Sequence, residues 1–118
     1  MSYDPRLQEP ALFSLAVVGL SHRFNVPAMM LSHGERRQLE LAMALALQPR
    51  LLLLDEPMAG MSRADSVVMM GLLQKIRQQY TIVLIEHDMA AVFSLSERIT
   101  VLGIGRKIAT GRHKEILE

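Results

Sequence analysis

The sequence has no cysteine, no tryptophan, and only two tyrosines and three phenylalanines in 118 residues. Without cysteine, disulfides and thiolate metal sites are excluded, and the composition fits a reducing compartment. An excess of one charge is also lacking. Thirteen basic and 12 acidic residues give a net +1, so nothing electrostatic points to nucleic acid. The basic runs Arg36-Arg37 and Arg106-Lys107 are short and read as solvated. The apolar run 41–47 falls far short of the roughly 20 residues that span a bilayer, so direct membrane insertion is not expected. The opening Met1-Ser2-Tyr3-Asp4-Pro5-Arg6 has no basic-then-apolar leader, so no signal peptide is expected. Domain linkers, internal repeats and low-complexity tracts are missing too.

Half of the residues are hydrophobic and 21% are charged, which allows a packed core in one small domain or part of a larger one. Nine methionines read as core filler rather than a functional surface. Residues 1–10, with two prolines, read as an irregular lead-in. Leu7, Ala11, Leu15 and Val18 follow helical spacing up to Gly19, and 21–30 is a loop. Ser32 and Glu35 make an S-x-x-E capping box. Leu39, Ala42, Met43 and Ala46 then form an apolar stripe on a helix closed by Pro49. Ser62 and Asp65 form a second box, opening a helix over 63–79 with Met69, Leu72, Leu73 and Ile76 as its stripe.

Leu51-Leu52-Leu53-Leu54-Asp55 reads as a strand buried on both faces, stopped by Pro57. Thr81–Ile85 is a second strand, a brief helix covers 89–95, and Ile99–Leu102 is a third strand. Gly103 and Gly105 bracket a turn into Lys107–Ala109, and a last helix follows Gly111. Strands alternating with helices predict an α/β fold with right-handed crossovers and a mainly parallel sheet flanked by helices.

In such a sheet the ligand crevice lies beyond the carboxyl ends of the strands. Asp55 and Glu56 sit there. Paired acids can hold Mg²⁺ through oxygen ligands and position a water. Neighbours on a strand point opposite ways, so Asp55 would reach the metal and Glu56 the attacking water. The plain alternative is a strand that ends in solvent. His87 closes the next strand and would share the rim with Glu56, where an imidazole can donate to a phosphate oxygen. Taken alone, it reads as a structural histidine. Ser32 and Gly34 open a helix whose free N–H groups and positive dipole end suit a phosphate, although Ser32 alone is an ordinary cap. His22, His33 and His113 have no spacing that suggests a metal site.

In this order the motifs resemble the nucleotide-binding domain of ATP-binding-cassette (ABC) proteins, over roughly residues 15–118. Leu31-Ser32-His33-Gly34-Glu35 resembles the family signature loop, with His33 and Glu35 where Gly and Gln are commonest. Leu51–Asp55 looks like the Walker B strand, Glu56 like the catalytic glutamate and His87 like the switch histidine. Ala59-Gly60-Met61-Ser62 falls where the D-loop lies, with Ser62 in place of the usual Asp. The segment Ala59-Gly60-Met61 and Glu86-His87-Asp88-Met89 are most similar to ATPase subunits of branched-chain amino acid or urea importers.

The resemblance implies a partial P-loop NTPase fold in which 1–118 is one partial nucleotide-binding domain. Residues 1–48 would end the helical subdomain, and 49–118 would be the C-terminal part of the catalytic α/β core. It implies ATP and Mg²⁺ as cofactors, with Glu56 and His87 catalytic and Asp55 on the metal through water. Ser32, His33, Gly34 and Glu35 would face the ATP of a partner protomer, and Ala59, Gly60 and Met61 would form the D-loop. Implied partners are a second ATPase subunit and membrane-spanning permease subunits, which would hold the protein on the inner face of the cell membrane.

A Walker A loop, G-x-x-x-x-G-K-S/T, is absent: Lys75, Lys107 and Lys114 follow no glycine. The adenine-stacking aromatic and the glutamine loop are not identifiable. The 118 residues alone are therefore expected to be inactive, supplying only the signature side of a shared ATP site, and to self-associate through uncovered strands. Two alternatives stand beside this reading. One is an ABC-type ATPase of DNA repair or translation, which should show coiled-coil heptads or a basic surface. The other is a non-catalytic fragment that pairs with a complete subunit.

Overall fold

The structure, a computed structural model, describes residues 4–117. Met1, Ser2 and Tyr3 of the expected lead-in lie outside the described residues. From Asp4 onward the lead-in is helical rather than irregular. Asp4 caps a 3-10 turn at Pro5–Leu7, accepting from the Arg6 N–H at 3.0 Å, and the turn runs straight into α1 (Gln8–Val17). Gly19, with φ +78°, follows the helix end. The Gln38 amide donates to the Val18 carbonyl at 2.8 Å, pinning that end to the next helix. Two further 3-10 turns, Ser21–Arg23 and Ala28–Met30, occupy the expected loop.

Helix α2 (His33–Ala46) begins with the full reciprocal capping box of Ser32 and Glu35. Its core face is Leu41, Ala42 and Leu45, whereas Met43 of the expected stripe is exposed. A run as uniformly apolar as Leu41–Leu47 offers two candidate stripes, and periodicity alone does not choose between them. The choice is made by what α1 and α3 present. Helix α3 (Arg63–Ile76) is capped by the Ser62 hydroxyl, which accepts from the Asp65 N–H at 3.1 Å. It buries Met69, Leu73 and Ile76 and ends three residues before the expected 79. These side chains join Val18, Leu20, Leu41, Ala42, Leu45 and Leu52 in one core cluster.

Strands β1 (Leu51–Asp55) and β2 (Thr81–Ile85) pair in parallel, Leu53 opposite Val83 and Asp55 opposite Ile85. The expectation that β1 is buried on both faces fails. Leu52 is buried and Leu54 and Ile82 pack on the core cluster, but Leu51, Leu53, Val83 and Ile85 face outward, Leu53 at 67% exposure. Among the described residues nothing covers that face, so the leucine run is half core and half open surface.

The third expected strand corrects the topology. β3 (Arg98–Gly103) follows helix α4 (Met89–Leu95) but does not join β1 and β2. It pairs antiparallel with β4 (Arg106–Arg112), and α5 (His113–Leu117) follows. The reason is local: Ile104 (φ +49°) and Gly105 (φ +71°) both take positive φ. That is the two-residue hairpin turn whose twist matches the strands, so β3 turns back onto its own successor. Gly111 lies within β4, and the last helix follows it as expected. The Arg77 guanidinium donates to the Leu95 carbonyl at 2.7 Å, tying the end of α4 to α3. The molecule is elongated, 54 × 29 × 24 Å, with a radius of gyration of 16.3 Å, against ~13 Å for a compact domain near this size.

Candidate functional site

The parallel register that sets Asp55 beside Ile85 carries the two chain ends out of the sheet together. Glu56 leaves β1 with φ +45°, while its N–H donates to the Ile85 carbonyl at 2.8 Å and extends the ladder by one bond. The left-handed backbone replaces the extended geometry on which opposite-pointing acids were expected. The His87 imidazole lies across the rim, with Nδ1 2.8 Å from Glu56 Oε1. The His87 side chain is 81% exposed and that of Glu56 44%. Asp55, the last residue of β1, is exposed on the open face.

Electrostatics follow from this geometry. The hydrogen bond and charge of Glu56 hold the His87 imidazolium above the usual histidine range, with smaller contributions from Glu86 and Asp88. Glu86 and Asp88 also build the loop around His87. Glu86 Oε1 accepts from the His87 N–H at 3.0 Å, and Asp88 caps α4 by accepting from the Ala90 and Ala91 N–H groups. The Glu86 side chain is only 4% exposed, and its Oε2 is buried without a partner in the protein. The sequence offered only that an acid precedes the histidine, and nothing in the pattern showed it would be turned inward.

At the start of α2, Glu35 works in two directions. Oε1 accepts from the Ser32 N–H at 3.1 Å, and Oε2 accepts from Arg23 Nε at 2.7 Å. The Ser32 N–H, and after it the Arg23 guanidinium, hold the Glu35 carboxyl below the usual carboxylate range. The Glu35 N–H donates to the Ser32 hydroxyl at 3.2 Å. The first N–H groups of a helix have no intrahelical partner, so those of His33 and Gly34 remain for another acceptor.

The loop 59–62 lies against this helix start. His33 Nε2 is 3.4 Å from the Ala59 carbonyl oxygen. Gly60, with φ +73°, passes so that a Cβ there would be 3.5 Å from His33 Nε2. Met61 packs on the core cluster. Gly34 is buried against Asp65, so closely that a Cβ on it would lie 2.5 Å from Asp65 Cγ. The structure thus makes two groupings: Ser32, His33, Gly34 and Glu35 with Ala59 and Gly60, and Glu56 with His87. Turns join them, since the Ala59 N–H donates to the Glu56 carbonyl at 3.0 Å. Arg23 escaped the sequence reading because no local pattern links an arginine to a glutamate 12 residues on.

The carboxylates of Asp55 and Glu56 are hard oxygen donors that suit Mg²⁺. No cluster of three or more His, Cys, Asp or Glu side chains able to hold a metal occurs among the described residues. A Mg²⁺ ion at this rim would therefore take its remaining ligands from water and phosphate. No helix among the described residues is long and apolar enough to cross a membrane.

Comparison with known proteins bears on this arrangement. Residues 7–59 match the ABC transporter family. The chain is 37% identical over 110 residues to the high-affinity branched-chain amino acid transport ATP-binding protein BraF of Pseudomonas aeruginosa, covering 92% of this chain and 43% of BraF. It is 39% identical over 101 residues to the corresponding protein LivG of Salmonella typhimurium, covering 84% and 40%. Among solved structures, a nucleotide-free ATP-binding cassette from an ABC transporter superposes with a TM-score of 0.88 at 27% identity, covering 97% of this chain and 46% of that one. The chain thus spans about two fifths of the length of the curated relatives it matches, and its α/β architecture is that of part of an ATP-binding cassette.

Proposed function

From the premise that this chain belongs to the ABC transporter family, we propose that it forms the C-terminal part of an ATP-binding subunit coupling ATP hydrolysis to solute import. Residues 1–48 would end the helical subdomain, and 49–118 would be the C-terminal part of the catalytic core. The observation that carries the reading is the Glu56–His87 contact of 2.8 Å at the rim shared by two parallel strands. Likeness to BraF and LivG supports branched-chain amino acids as the solute.

In this reading Glu56 accepts a proton from the attacking water. His87 orients Glu56 through Nδ1 and, when protonated, presents an Nε2–H donor to a phosphate oxygen. Asp55 would hold Mg²⁺ through water. Ser32, with the N–H groups of His33 and Gly34, faces the phosphates of ATP bound to a partner protomer, while Glu35 fixes Ser32. Ala59, Gly60 and Met61 carry the D-loop contact across the dimer. Bound Mg²⁺–ATP supplies the phosphoanhydride and the Lewis-acid charge. A second ATP-binding subunit and membrane-spanning permeases are the partners, and they hold the protein at the inner face of the membrane.

No G-x-x-x-x-G-K-S/T run occurs among these 118 residues, so they supply no phosphate cradle of that kind. The chain alone should neither bind ATP tightly nor hydrolyse it. The test is to mix it with a complete ATP-binding cassette and measure association with and without Mg²⁺–ATP. ATP-dependent pairing that Ser32→Ala weakens is the expected result. Magnesium-dependent turnover by the chain alone, abolished in Glu56→Gln, would refute the division of labour.

A further inference from the structure

We infer that Arg23 is a positioning residue for the loop Ser32–Glu35, holding the Glu35 carboxylate where it fixes the Ser32 main chain. The geometry forms an unbroken relay from the core to the helix start. Leu20 is 1% exposed, and its carbonyl accepts from the Arg23 N–H at 2.9 Å. The Arg23 carbonyl in turn accepts from the Val26 N–H at 3.0 Å. The base of the Arg23 side chain is therefore anchored on both sides by main-chain bonds. From that anchor Nε reaches Glu35 Oε2 at 2.7 Å, and Glu35 Oε1 reaches the Ser32 N–H at 3.1 Å.

Exposed ion pairs usually contribute little, because two long side chains must be ordered to form them. Two features separate this pair from that case. Glu35 is already ordered by its bond to Ser32, so Arg23 does not meet that cost alone. The contact is also charge-assisted and short, with the Glu35 side chain only 19% exposed. A second strap reinforces the loop, since Arg36 donates to the Met29 carbonyl at 2.9 Å. Neither arginine touches the helix N–H groups left for an acceptor, so Arg23 acts only through Glu35. Its consequence for phosphate contact rests on the function proposed above; its effect on Ser32 does not.

Amide hydrogen exchange on the 118-residue chain tests the inference without nucleotide. In Arg23→Met the Ser32 amide should exchange about fivefold to tenfold faster, the loss expected for one hydrogen bond. The Leu41 and Leu45 amides should stay within about twofold of the unsubstituted chain. Arg23→Lys should recover most of the protection, and Glu35→Ala, which leaves no acceptor for the Ser32 N–H, should lose it with Arg23 intact. An unchanged Ser32 rate in Arg23→Met, or equal acceleration at Leu41 and Leu45, overturns the positioning role. A second arm adds a complete cassette and Mg²⁺–ATP. Faster Ser32 exchange in Arg23→Met, with no ATP-dependent pairing even by the unsubstituted chain, upholds the positioning role and overturns the nucleotide reading alone.

Discussion

His87 Nδ1 and Glu56 Oε1 lie 2.8 Å apart although 31 residues separate them in sequence. Two strands in parallel register deliver both groups to one rim. Because Nδ1 is engaged, Nε2 is the ring nitrogen left free of Glu56.

That pair titrates. Glu56 raises the His87 value, with Glu86 and Asp88 adding to the effect. A raised value in the folded state means the pair's stabilisation is fully present below the ordinary histidine value of about 6.5. It is lost as pH rises through the elevated folded value. Titration of the imidazole by NMR should show Glu56→Gln moving His87 down toward 6.5. No movement would show that the contact is not populated in solution.

The cap at Glu35 has the opposite sign. Its folded value lies below the ordinary one, so its contribution is present above about 4.3 and disappears as pH falls through the folded value. The Ser32 amide shift should therefore follow an acid transition that is missing in Glu35→Gln. A Ser32 transition that persists unchanged in that variant would contradict the assignment.

Gly34 and Asp65 should be coupled. A Cβ at 34 would meet Asp65 Cγ at 2.5 Å and both carboxylate oxygens within 2.8 Å. Alanine should otherwise favour the helix over glycine by roughly 1 kcal/mol. Gly34→Ala is expected to destabilise the chain but to become neutral or stabilising in an Asp65→Ala background. The coupling energy should be about 0.5–3 kcal/mol in urea unfolding. Additive effects would mean that Asp65 swings aside freely.

The open face of the small sheet should drive self-association. Leu51, Leu53, Val83 and Ile85 form one outward apolar patch. Sedimentation should show concentration-dependent oligomers that Leu53→Lys shifts toward monomer. A monodisperse monomer in the unsubstituted chain would remove this expectation.

Much of the local structure was legible because single motifs fix it: Ser32 with Glu35, Ser62 with Asp65, and Pro57 after a leucine strand. What escaped depended on partners distant in sequence. The Leu51–Leu54 run could not reveal that only one face is covered, since burial depends on which elements pack there. Met43 lost its core place to Leu41 and Leu45 for the same reason. β3 was read as parallel because alternation suggested a crossover, while the Ile104-Gly105 turn returned the chain on itself. The site residues stood out by their order along the chain. Arg23 and Glu86 did not, because their contributions exist only once the loops are folded.

The positive φ of Glu56 sets its main chain against its side-chain contact with His87. An L-residue with a side chain pays about 1–2 kcal/mol to adopt that conformation, and the residue before a proline favours extended geometry instead. Glycine at this position would relax the main chain and raise the melting temperature while deleting the carboxylate on which the rim depends. A screen for thermostable variants of this chain would thus tend to select molecules that lack the Glu56–His87 contact.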